Sequence, residues 1–233
     1  MSIRSFILLA AAAVSVLAAP TRTPIARSCK VSGDALQLPA NQTSLVSPSS
    51  PPKFVALGVG MQNYTCSSAG KYTSVGAVAE LFDISCLSGT PEWTRIQTDA
   101  YSLWNSSPAN TSDIINLFAG KLGNFDVLGQ HYFVANPAGS GAPVPKFDFT
   151  SARFKGNADA FTVLAKSGDI AAPTGSADVD WLMLNVTSGK LADEVFRVNT
   201  KAGQPPTSCT PGSADIAVKY TAKYLFYGGS ISA

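Results

Sequence analysis

His131 is the one histidine of the chain and stands in GQHYF, where residues two apart share a strand face. An imidazole there is a candidate general base or single metal ligand. Both roles need partners, and no H-x-H or H-x-x-E spacing supplies them. The plainer reading is a strand histidine satisfied by a backbone carbonyl or a nearby acid. Asp178 and Asp180, two apart in SADVDWL, project to one side and offer the paired carboxylates of a glycosidase. An Asp at a strand entrance is more often a turn acceptor, and Asp126 and Asp148 are equally ambiguous. Trp93, Tyr101 and Trp104 form a third group, whose rings could stack on sugars or pack a core. Gly58 and Gly60, in FVALGVGMQNYTC, hint at a phosphate loop.

That loop fails on its context. G-x-G-x-x-G needs a third glycine opening a helix, but Asn63 occupies that place and Tyr64-Thr65-Cys66 continue as strand. The two glycines read better as points of close backbone approach inside a buried strand. No G-x-S-x-G elbow frames a nucleophilic serine, since Gly139-Ser140-Gly141 lacks the flanking pattern. No cofactor and no metal site are expected.

The elements that position these residues are mostly strands. FVALGVGMQNYTC and TSVGAVAELFDISC flank the turn SSAGKY and predict a hairpin. LGQHYFVA and PKFDFTS pair across NPAGSGAPV, and AFTVLAK, VDWLMLNV, EVFRVNT and DIAVKYTAKYLFY follow. In the last, Ile216, Val218, Tyr220, Ala222, Tyr224 and Phe226 alternate onto one face. Between the first pairs, TPEWTRIQTDAYSLWN and TSDIINLFAGKLG carry helical spacing. The second is expected to start at Ser112, to turn Ile114, Ile115, Phe118 and Leu122 inward and to stop at Gly123. The expected fold is mainly β: a single antiparallel β-sandwich or barrel-like domain over 53–233, with a small helical insertion near 91–123.

The first 18 residues read as a signal peptide, with Arg4 before an apolar run and cleavage before Ala19; a Ser/Pro-rich extension fills 19–52. Losing Arg4 leaves 16 basic against 15 acidic residues, which argues against nucleic acid as a partner. No later stretch is apolar for long enough to span a membrane. Sequons at Asn41, Asn63, Asn105, Asn110 and Asn185 fit a secreted, cell-wall or extracellular location. So do four cysteines, Cys29, Cys66, Cys86 and Cys209, which read as two disulfides with three possible pairings.

GVGMQNYTC, LGQHYF, DVDWLMLNV, FRVNTKAGQPPTSC and VKYTAKYLFY, in this order, resemble the fungal branch of the family catalogued as domain of unknown function 3455. Members often carry the label malate dehydrogenase. The missing nucleotide loop, and the absence of a His–Asp pair with substrate-clamping arginines, make that activity unexpected here. The resemblance implies a secreted protein without an established activity and brings no catalytic residues. The positions of the cysteines along the strands favour Cys66 with Cys209 and Cys29 with Cys86, tying the ends of the chain to the sheet. The favoured function is a non-catalytic extracellular protein that binds cell-wall polysaccharide or another extracellular protein. The alternative is a secreted hydrolase or other carbohydrate-active enzyme using His131 or the Asp178/Asp180 pair; an effector aimed at a host protein is a third.

Overall fold

Glycine and alanine along one face of the first strand decide how the sheet curls. In the computed structural model, which describes residues 29–119 and 126–231, β1 spans Phe54–Cys66 and β2 Tyr72–Asp83. Ala56, Gly58 and Gly60 of β1 share the inner face with Ala77 and Ala79 of β2, Gly60 opposite Ala79, and leave room for large rings from across the sheet. A Cβ on Gly58 would lie 2.4 Å from the Tyr224 ring, and one on Gly60 would lie 1.9 Å from the Val78 carbonyl oxygen. Close approach is what these glycines permit.

Six further strands follow: β3 Val127–Val134, β4 Val144–Asp148, β5 Phe161–Ile170, β6 Trp181–Gly189, β7 Glu194–Ala202 and β8 Ile216–Tyr227. Each pairs antiparallel with the next, and β8 returns to pair with β1, Phe54 opposite Phe226. The sheet is therefore a closed up-and-down barrel, not a sandwich, and no sheet edge is left open.

Two cores follow from closure. Alternate residues of all eight strands meet inside, including Phe54, Leu81, Phe147, Leu164, Leu184, Val195, Tyr220 and Tyr224. The other face of β1, β7 and β8 is buried as well, under the N-terminal segment and the helical insertion. The insertion consists of a 3₁₀ turn at Pro91–Thr94, α1 at Ile96–Ser106, a 3₁₀ turn at Thr111–Asp113 and α2 at Ile114–Ala119. Ile96, Ala100 and Trp104, one turn apart on α1, face the barrel wall. Before α2 the sequence expectation needs correction. Asn110, not Ser112, caps the turn, in a capping box with Asp113; Ile115 points outward, while Ile114 and Phe118 are buried. Leu122, Gly123 and the expected signal peptide lie outside the described residues.

β8 holds the insertion with its outward residues. Lys219 Nζ donates to the Trp104 and Ser107 carbonyls at 2.9 and 2.7 Å, Thr221 Oγ1 to Gln97 O at 2.6 Å, and Lys223 Nζ to Trp93 O. Lys219 thereby places its charge where α1 ends and the helix dipole is negative. Cys29–Cys86 and Cys66–Cys209 are the two disulfides, the pairing favoured from sequence.

Candidate functional site

His131 enters the barrel because it shares a face with Ala79, its cross-strand partner. Its ring stacks on Phe147, with centroids 4.4 Å apart and planes 11° from parallel, and Nδ1 lies 3.0 Å from the Lys146 carbonyl. That carbonyl accepts a hydrogen, so Nδ1 carries the proton in the neutral ring. Burial holds the imidazole neutral, pushing its pKa down to about 4, and the Arg197 charge adds to this. His131 is 4% exposed, so it is a packed core histidine with no carboxylate set beside it.

Asp178 and Asp180 separate. Asp178 is buried and accepts from Ala202 N at 2.6 Å and from the Thr174 hydroxyl, with Lys201 Nζ 3.6 Å away. It fastens the connection between β5 and β6 to a bulge of β7, where Asn199 and Ala202 adopt positive φ. Asp180 uses its backbone, accepting from Arg197 Nε at 3.0 Å. The structure does not gather the two carboxylates into a catalytic pair.

Trp104 is fully buried, its Nε1 donating to Gly60 O at 2.9 Å. Trp93 is also buried, and Tyr101 half-buried. Lys219 and Lys223 lie 4.2 Å from the Trp104 and Trp93 ring centres, so the indoles serve cations of β8 rather than presenting free faces. Asn41, Asn105, Asn110 and Asn185 are exposed, while Asn63 is half-buried between Gly76 and Ala217. Among the described residues no three His, Cys, Asp or Glu side chains converge to hold a metal ion. Among them, too, no helix is long and apolar enough to cross a membrane.

The wall that the insertion leaves uncovered carries a different set. Outward residues of β2 to β4 form a polar ladder: Gln130 Nε2 donates to Glu80 Oε1 at 2.9 Å, and Tyr132 donates to Asp148 Oδ2 at 2.7 Å. Asp148 also takes Lys146 Nζ at 2.8 Å and the Thr150 hydroxyl and amide at 2.6 and 3.0 Å. These donors hold its carboxyl well below the usual carboxylate range, although burial works against them. Beside the ladder a groove of about 370 Å³ runs between the β2–β3 wall and the 3₁₀ turn before α2. Val78, Glu80, Gln130 and Tyr132 on the strands and Thr111 and Ser112 on the turn line it, together with the intervening Ala79 and His131. Glu80 Oε2 is buried with no hydrogen-bond partner among the described residues, and desolvation raises the carboxyl pKa.

The family profile described as "Protein of unknown function (DUF3455)" matches residues 47–228, which include all eight strands and the insertion. The chain belongs to that family. No curated protein and no solved structure matches it. A DUF3455 domain is thus, in this chain, a closed eight-stranded antiparallel barrel that holds the Cys66–Cys209 disulfide within it and is tied by Cys29–Cys86 to the segment before it. Sequence reasoning missed Glu80, Gln130 and Tyr132. The available signal was a lone acid within the apolar run VGAVAELF, alternating outward between Ala79 and Leu81.

Proposed function

We propose that this protein is a secreted, N-glycosylated, non-catalytic extracellular protein whose β2–β3 groove takes a neutral, hydroxyl-rich ligand, such as a chain of cell-wall polysaccharide. Glu80 carries this reading. A carboxylate oxygen shut away from water without a donor is costly, and a ligand hydroxyl is the donor that would satisfy it. Gln130 fixes the other oxygen, so the free one is held in place. Val78, 36% exposed, and the half-buried Tyr132 ring add apolar surface for the CH face of a sugar. Two disulfides fit an oxidising, extracellular setting.

The alternative, a carbohydrate-active enzyme, draws on the raised pKa of Glu80, a property of general acids. It requires a second working carboxylate. Asp148, two strands from Glu80 and therefore about 10 Å away by sheet spacing, already accepts from Lys146, Tyr132 and Thr150.

Retention of the purified protein on insoluble chitin, β-glucan and cellulose tests the proposal. Binding to one polymer that drops at least tenfold in Glu80→Ala and Tyr132→Ala supports it. Retention on none of them, or retention indifferent to both substitutions, refutes it.

A further inference from the structure

The barrel interior contains a cation without a counter-ion. Arg197 alternates inward with Val195, a member of the interior core, while Phe196 and Val198 face the insertion. Its charge is felt by Tyr64, His131, Tyr220 and Tyr224, all of which are buried. The guanidinium donates Nε–H to Asp180 O and contacts the Tyr224 hydroxyl. Among the described residues no carboxylate lies within ion-pair distance of it; the Asp180 carboxylate is near enough to act on Tyr64 but not to pair. Arg197 is half-buried, so solvent reaches it.

Beside it stands a second unmet donor. Gln62 is 4% exposed, and among the described residues its amide Nε2 completes no hydrogen bond, although it lies close to the Tyr220 hydroxyl. Gln62 adjoins Tyr220, and Tyr220 and Tyr224 share a single hydrogen bond of 2.9 Å between two hydroxyls, leaving one O–H to give. Arg197 and Gln62 thus share the inner face with the tyrosines toward the end of the barrel where β1 turns into β2, Arg197 paired across strands with Tyr224 and Gln62 two residues beyond Gly60, the partner of Tyr220. Guanidinium, amide and phenol all carry hydrogens to give. Acceptors there are few: Tyr64 directs its own hydroxyl to Gly203 O. Burying a charge and an amide donor unpaired is unfavourable, and an anion with two oxygens reverses both costs together.

We propose that this end of the barrel binds a small carboxylate, one oxygen on the Arg197 fork and the other on Gln62 Nε2 and the tyrosyl pair. A planar carboxylate matches the planar guanidinium and spans two donors, whereas chloride cannot bridge them. The His131 ring, its centre 5.6 Å from that of Tyr224 and 5.7 Å from that of Phe133, would cover an apolar substituent. The site is separate from the β2–β3 groove, which lies on the outside of the wall.

The test uses the full, disulfide-bonded, secreted chain at pH 7, titrated with sodium acetate and with sodium benzoate at constant ionic strength against sodium chloride. The expected result is a rise in Tm with the carboxylates that grows with the logarithm of their concentration above Kd and that chloride does not reproduce. At a hundred times Kd this corresponds to a roughly hundredfold gain in the folding constant. Arg197→Lys and Gln62→Leu should each weaken the apparent affinity at least tenfold, and Arg197→Gln should abolish the response. If Arg197→Gln fails to fold, the ¹⁵N side-chain signals of Arg197 and Gln62 in the unaltered protein decide, since both must shift with the same Kd. The proposal is overturned by a response equal in chloride, by signals that stay still, or by affinity unchanged in Arg197→Lys and Gln62→Leu. A parallel titration with inorganic phosphate separates the sources: saturable binding of phosphate alone overturns the carboxylate assignment.

Discussion

Replacing His131 with phenylalanine isolates the consequence of one proton. The variant keeps a flat ring against Phe147, where the imidazole now stacks at 4.4 Å, and loses the bond from Nδ1–H to Lys146 O. That bond makes the variant less stable at pH 7 by about 1 kcal/mol. Acid reverses the order. The folded protein holds the imidazole neutral down to a pKa of about 4, against an ordinary value of 6.5, so the unfolded chain takes up the proton first. Stability from the neutral ring is complete above pH 6.5 and drains away as pH falls toward 4. Linkage across that interval costs the wild type about 2 kcal/mol by pH 5 and about 3 kcal/mol by pH 4. Every other titrating group is shared, so it cancels in the difference between the two proteins. Urea unfolding at half-unit steps from pH 7.5 to 4 should give curves that cross near pH ~6, the variant being the more stable below. Curves that stay parallel within about 0.5 kcal/mol would refute the argument, because they would mean the imidazole is hydrated or already charged in the fold.

Lys223 gives a second window of the same sign on the alkaline side. Burial beneath the insertion pushes its amine down to about 8 from 10.5, so stability rises with pH between those values as the folded state sheds the proton. Lys223→Met should raise stability at pH 7 by about 1–2 kcal/mol, net of the lost Trp93 contacts, and the gain should vanish by pH 10; a loss at pH 7 contradicts this. Gly60→Ala, whose new Cβ would meet Val78 O and Ala79 Cα, both backbone, should cost about 3 kcal/mol or prevent folding, and an unchanged urea midpoint would sink that reasoning. Glycopeptide mapping of the protein expressed through a eukaryotic secretory host should find glycan on the exposed Asn41, Asn105 and Asn185 and none on Asn63, which sits in a strand paired on both sides; an occupied Asn63 would mean modification precedes strand pairing.

β8 shows how far the sequence could be read. The alternation from Ile216 to Phe226 announces a strand and correctly groups its inward residues, but it implies a polar, solvated opposite face. That face carries Lys219, Thr221 and Lys223, which are instead covered, because a helix distant in sequence supplies backbone carbonyls to all three. The same long-range packing misdirects the reading of Trp93 and Trp104, since an indole on an amphipathic helix looks alike whether it meets a sugar or a lysine stem. Arg197 is the mirror case. In EVFRVNT the apolar face, Phe196 and Val198, passes for the inner one, yet the face bearing Arg197 lines the barrel. Strands buried on both sides carry no local mark of which side is inside. Glu80 and Tyr132 come together with Gln130 and Asp148 only through β-pairing across a loop that sequence places but does not register.

Closure of β8 onto β1 sets a constraint on how the chain is made. Phe54 leaves the ribosome long before its partner Phe226, so throughout synthesis β1 has one unpaired side, apolar over most of its length, until the last strand arrives. Cys29–Cys86 can lock as soon as the first hairpin is complete, whereas Cys66–Cys209 spans 143 residues and can form only near the end. The second bridge thus acts as a completion seal, and a chain truncated before Cys209 is left holding both an open strand and a lone thiol, the one a template for pairing with another chain and the other open to disulfide exchange.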